Sequence, residues 1–129
     1  MQTYMKISTL SQLTIATECL QRQLEQWDIS AEKKMDIRLC VMEAVQNGLL
    51  YGSAEGQPPE VHLSWQCNCD GFSFFVEDNG SGVPERQRSG NGSGVLLDEH
   101  GRGILLMHVL LDEVIFNEKG NRITGRMKW

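Results

Sequence analysis

Glu43 and Asn47 are the first residues whose types and spacing suggest chemistry. On a helix, side chains four apart stack on one edge. A carboxylate and a carboxamide so placed could act together on one ligand, and the same pair also reads as two solvated residues at the margin of an amphipathic helix. A second group, Asp78, Gly80 and Gly82, follows a run with strand periodicity. A carboxylate at a strand end can accept a hydrogen bond from an exocyclic amine such as that of adenine. The glycines would let a flat ring approach the main chain, although an Asx turn uses the same residue types. The third group is Gly101-Arg102-Gly103, leading into an apolar run. Free N–H groups at a helix start bind phosphate, but a loop before a helix also needs glycine. This G-x-G lacks both the Rossmann fingerprint and the Gly-Lys-Ser/Thr of a P-loop.

The elements that must position these groups follow from periodicity. Residues 1–7 read as a short strand at a sheet edge. Ser8 or Thr9 caps a first helix reaching about residue 27, with Leu13, Ile15, Ala16, Cys19, Leu20 and Leu24 facing inward. Ser30 starts a second helix that carries Glu43 and Asn47 and ends at Gly52. Its apolar stripe reads as Met35, Leu39, Met42, Val45 and Leu49. Ala44 and Gly48 form a small-residue stripe that admits a close neighbour. Two prolines keep 53–59 as a loop. Val61, Leu63 and Trp65, then Phe72, Phe74 and Val76, alternate with polar residues around Asp70-Gly71, the pattern of an antiparallel hairpin. Residues 85–100 are polar, contain Gly90, Gly92 and Gly94, and show no periodicity. A loop that long in a compact domain is often a lid over a site. A third helix spans 104 to about 111, and a last hairpin joins 114–117 to 122–129. Helices grouped apart from hairpin-connected strands predict an α/β two-layer sandwich, with three helices on a mixed, mostly antiparallel sheet.

Composition narrows the function classes. The 129 residues suit one domain spanning 1–129, with 40% hydrophobic and 22% charged residues. A net charge of -5 argues against nucleic acid as the main partner. No run approaches the roughly 18 apolar residues of a membrane span, and no signal peptide opens the chain. Cys67 and Cys69 lack a second Cys or His pair to complete a metal site. The four cysteines therefore read as reduced thiols of a cytoplasmic protein.

Taken together and in order, the three groups resemble the GHKL ATPase superfamily of gyrase, heat-shock chaperones, histidine kinases and mismatch-repair proteins. Glu43-x-x-x-Asn47 looks like its N-box, Asp78-x-Gly80-x-Gly82 like its first glycine box, and Gly101-Arg102-Gly103 like its second. The nearest likeness is to the small bacterial anti-sigma-factor serine kinases. It rests on residues 41–47, on Gly101 to Leu106, and on Leu111-Asp112-Glu113-Val114. The resemblance covers nearly the whole chain and implies a Bergerat ATP-binding fold with ATP and Mg²⁺ as cofactors. It further implies that Asn47 supplies an oxygen to Mg²⁺ and that Glu43 is the general base on an attacking hydroxyl. Asp78 would read the adenine amine, Gly80 and Gly82 would line the ring, and Gly101, Arg102 and Gly103 would meet the phosphates. Many relatives carry a Thr near the start of the final strand that helps hold adenine. Whether Thr124 or Asn121 takes that role here stays open at this stage.

The function so implied is a protein serine kinase that phosphorylates a STAS-type anti-sigma-factor antagonist. The same domain would sequester a sigma factor or comparable regulator by partner switching. Relatives tend to dimerise through the first strand and first helix, so a homodimer is among the expected assemblies. A nucleotide-responsive binding module without kinase activity is the alternative, although such a module has no need of a base at Glu43. The kinase-like domain of a longer regulator is a third reading. A histidine kinase is disfavoured, since none of His62, His100 and His108 lies upstream of Glu43. A DNA-linked ATPase is disfavoured because such enzymes carry a second domain.

Overall fold

The computed structural model describes residues 2–89 and 99–129. The chain begins with strand β1 (Gln2–Ile7) and helices α1 (Leu10–Leu24) and α2 (Ala31–Tyr51). Strands β2 (Val61–Asn68) and β3 (Gly71–Asp78) follow, then helices α3 (Glu85–Arg88) and α4 (Glu99–Leu110), then strands β4 (Glu113–Phe116) and β5 (Arg122–Lys128). The strands form one sheet in the order β1-β2-β3-β5-β4, and every pairing is antiparallel. The two-layer arrangement agrees with the sequence pattern, but the sheet is not mixed, and α3 adds a single turn of helix that four residues cannot announce by periodicity. The expected lid falls partly at 90–98, outside the described residues.

Local chemistry starts the helices. Thr9 caps α1 with a reciprocal capping box: its hydroxyl accepts from the Gln12 N–H, and the Gln12 carboxamide accepts from the Thr9 N–H, both at 3.2 Å. The Ser30 hydroxyl accepts from the Lys33 N–H at 3.1 Å to open α2, with Glu32 in the first turn against the helix dipole. The β2–β3 hairpin turns at Gly71, whose φ of 152° and close approach to the Met127 carbonyl exclude a side chain.

The register sorts the sheet into two faces. Leu63, Val76 and Ile123 lie in one cross-strand row, and Trp65, Phe74 and Gly125 in the next. These rows face the helices and join Leu13, Leu20, Ile37, Val45, Ile104 and Met107 in one core. The other face carries the row Tyr4, Ser64, Phe75, Thr124 and Ile115. Asp78 pairs with Val61 on the helix-facing side, which turns its carboxylate toward α2.

Two expected faces are corrected. The buried side of α2 is Ile37, Cys40, Val41, Ala44, Val45 and Gly48, whereas Met35 and Leu39 are exposed and Met42 and Leu49 are partly buried. Apolar residues occur around much of α2, so more than one 3.6-residue stripe can be drawn, and packing selects the one with small residues toward the sheet. On α1, Ile15 is exposed and Cys19 only partly covered, while Leu13, Ala16, Leu20 and Leu24 are buried. No described helix is long and apolar enough to cross a membrane.

Candidate nucleotide site

The close approach of α2 to the sheet depends on Gly48. A Cβ at that position would stand 2.8 Å from Val61 Cγ2 and 3.8 Å from Asp78 Cβ. Gly52, which caps α2, lies against the Asp78 carboxyl, and Gly80 lies against the Gly52 backbone at 2.7 Å from where its own Cβ would be. Three glycines thus bring the end of α2 onto the end of β3. The Asp78 carboxylate accepts from the Gly80 N–H at 2.9 Å. Burial raises its pKa above the ordinary carboxylate value, and the Gly80 N–H and Lys119 partly oppose the rise. The Asp78 carboxylate is thus a half-buried acceptor at the edge of a hollow.

That hollow is a cleft, partly open to solvent, between α2, α4 and the sheet. Its walls are apolar at Ala44, Val76, Ile104, Met107, Phe116 and Ile123, with Asn47, Asp78 and Asn121 as polar groups. Such a chamber suits a flat heteroaromatic ring with one carboxylate to read its edge. Gly82, with φ 95°, packs against the Lys119 carbonyl and completes one wall. Asn79 Oδ1, beside Asp78, is buried without a hydrogen-bond partner.

Asn47 also borders a second, more polar groove with Glu43, Gln46, Arg102 and Gly103. A Cβ on Gly103 would stand 2.8 Å from Glu43 Oε2 and 3.1 Å from Asn47 Nδ2. The bare backbone of Gly103 therefore lets the first turns of α4 lie against both side chains. Helix α4 begins at Glu99, so Gly101 and Gly103 sit within its first turns and not ahead of them. Arg102 is exposed beside the groove. Glu43 and Asn47 on α2, Asp78 at the end of β3, Gly82 after it, and Gly103 on α4 thus line two hollows that share Asn47.

Thr124 does not join them. It alternates with the helix-facing Ile123 and lies on the opposite face of the sheet, paired with Phe75 and Ile115. Asn121 lines the chamber instead: its carboxamide donates to the Asp78 carbonyl at 2.8 Å, and its carbonyl accepts from the Asp78 N–H at 2.9 Å. Asn117, which donates to Asn121 Oδ1 at 2.9 Å, holds it there. The Asn-x-x-x-Asn spacing of 117 and 121 around Gly120 was the sequence signal for this turn. Cys40 takes no part: burial pushes its thiol up to about 12, so it behaves as a small core hydrophobe.

Comparison with known proteins identifies the family. The family described as the histidine kinase-like ATPase domain matches residues 7–129. Proteins named anti-sigma F factor from Clostridium perfringens strains SM101 and ATCC 13124 are each 28% identical over 111 residues. That alignment covers 81% of this chain and 79% of theirs.

Proposed function

The chain belongs to the histidine kinase-like ATPase domain family, and from that premise we propose that it is an ATP-dependent protein serine kinase acting as an anti-sigma-type regulator. Its acceptor is a serine on a STAS-type anti-sigma-factor antagonist. It also sequesters a sigma factor or comparable regulator in the cytoplasm and releases it by partner switching. The likeness to proteins named anti-sigma F factor supports the regulatory half of this reading. One observation carries the kinase half: Glu43 and Asn47 both border the groove at Gly103, and Asn47 also lines the chamber that holds Asp78.

Adenine would occupy the apolar chamber that Gly82 helps to line, its exocyclic amine donating to Asp78. The triphosphate would run past Asn47 into the polar groove that Arg102 and Gly103 line, with Gly101 as a further phosphate contact. No group of three or more His, Cys, Asp or Glu among the described residues could hold a metal by itself. Mg²⁺ takes few protein ligands and several from phosphates. The hard carboxamide oxygen of Asn47 fits that ion, which when bound neutralises charge on the phosphate oxygens.

Glu43, one helical turn from Asn47, orients the serine hydroxyl and accepts its proton. The serine oxygen forms its bond to the γ-phosphorus as the bond from that phosphorus to the bridging oxygen breaks, and ADP leaves. The test is transfer of labelled γ-phosphate to a purified STAS-type antagonist. Label on its serine supports the reading. Tight Mg²⁺-ATP binding without transfer to any such protein would leave a nucleotide-responsive binding module in its place.

A further inference from the structure

Arg88, the last residue of α3, lies outside all three motifs and binds main-chain carbonyls on two of the loops that frame the site. Two loops form the ring end of the chamber, the Asp78–Val83 exit from β3 and the 117–121 turn between β4 and β5. They are joined by main-chain bonds from the Asp78 N–H to the Asn121 carbonyl and from the Val83 N–H to the Gly120 carbonyl, both at 2.9 Å. The Arg88 guanidinium spans the same seam. Its Nε donates to the Val83 carbonyl at 2.8 Å, while Nη1 and Nη2 donate to the carbonyls of Glu118 and Lys119 at 3.2 Å. It also stands 5.9 Å from the ring centroid of Phe116, a wall of the chamber.

Two further contacts tie Arg88 to the rest of the site. Its carbonyl meets His108 Nε2 at 2.7 Å, which links α3 to α4, the helix that carries Gly103. Gly120, at φ 83°, has no room for a Cβ because Arg88 Cζ would stand 2.7 Å from it. The Lys119 carbonyl that accepts from Nη2 is the same group against which Gly82 packs. Three carbonyls on two loops are thus held by one planar, permanently charged fork. Charge-assisted bonds of this kind are stronger than neutral ones, and an ammonium cannot reproduce the fork.

We propose that Arg88 is a positioning residue for nucleotide selection, fixing the gap between the Asp78 loop and the β4–β5 turn so that Asp78 meets the amine of adenine. The inference rests on the adenine nucleotide reading above. Arg88 acts through Gly82 and Asn121 and touches no nucleotide itself. Its loss therefore weakens recognition of the base edge more than it weakens binding in general. Adenine presents an amine to Asp78 where guanine presents a carbonyl, so the preference for ADP over GDP measures how well Asp78 is placed.

The experiment is calorimetric titration of Mg²⁺-ADP and Mg²⁺-GDP into wild type, Arg88→Ala and Arg88→Lys, with thermal melting alongside. Arg88→Ala is expected to weaken ADP binding by about tenfold, one charge-assisted hydrogen bond's worth, and GDP binding by much less. Arg88→Lys is expected to lose most of the same preference although it keeps the charge, and it replaces the alanine variant if that chain does not fold. ADP binding equal to wild type in both variants would overturn the proposal. Loss of ADP and GDP affinity in equal proportion, with a lowered melting temperature, would also overturn it by reducing Arg88 to a general structural contact. A wild type that binds no adenine nucleotide would instead remove the reading on which the proposal rests.

Discussion

Gly103→Ala separates stability from chemistry at the point where the site's two helices meet. In isolation the change favours folding, since alanine in a helix is worth roughly 0.5–1 kcal/mol over glycine. The new methyl, however, would stand 2.8 Å from Glu43 Oε2 and 3.1 Å from Asn47 Nδ2. Comfortable separations are about 3.5 Å, so the carboxylate and carboxamide must retreat by roughly half an ångström or more. Both are the ends of flexible side chains, so they can move, and the fold survives. A misplacement of about 1 Å at reacting groups costs on the order of 100-fold. Transfer should therefore fall by about 10- to 100-fold, equivalent to about 1.4–2.7 kcal/mol, while the melting temperature holds or rises. The assay is phosphoryl transfer to a STAS-type antagonist under saturating Mg²⁺-ATP, with thermal melting of the same samples. Wild-type transfer by a folded Gly103→Ala protein would refute the claim that Gly103, Glu43 and Asn47 serve one ligand.

Asp78→Asn should raise the dissociation constant for Mg²⁺-ADP about 30-fold, the value of a charged hydrogen bond of about 2 kcal/mol, as read by calorimetry. The same variant should be more stable than wild type at neutral pH. Burial raises the pKa of Asp78, so the folded chain binds more protons than the unfolded chain, and stability falls as pH rises from the ordinary carboxylate range through the raised value. The stability gap should therefore close as pH is lowered toward about 4, which melting curves across pH would show. Glu43→Gln should bind Mg²⁺-ATP within about threefold of wild type yet transfer phosphate about 100- to 10,000-fold more slowly, a split that pairs calorimetry with the transfer assay. Thr9→Ala removes the α1 capping box and should cost about 1 kcal/mol, lowering the melting temperature by about 3–5 °C without changing nucleotide affinity.

The strands were legible because their alternation is local. Val61 to Trp65 and Phe72 to Val76 display period two in the sequence, and the structure turns those residues toward the helices. The helix starts were legible because a cap needs only residues three apart, as at Thr9 and Ser30. The face of α2 was not, because Met35 and Leu39 fit a helical stripe as well as Ile37, Val41 and Val45 do. Only the fit of Ala44 and Gly48 against Val61 and Asp78 decides between them. The start of α4 was obscured by Gly101 and Gly103, whose low helix propensity reads as a loop, although the bare backbone of Gly103 lies inside the helix against Glu43 and Asn47. Thr124 and Asn121 were two open choices, and the strand's alternation sends Thr124 to the far face while Asn121 lines the chamber. Arg88 carried no sequence signal at all. Its partners are main-chain carbonyls up to 31 residues away, and any residue type could have supplied those.

The most direct test is calorimetric titration of Mg²⁺-ATP into wild type and Asn47→Ala, each repeated with the metal chelated. The account predicts that wild type binds ATP more tightly with Mg²⁺ than without it. Asn47→Ala should lose most of that difference while retaining the weaker, metal-independent binding that Asp78 and the apolar chamber supply. A wild-type chain that binds no ATP, or an Asn47→Ala chain with full Mg²⁺ dependence, would contradict it.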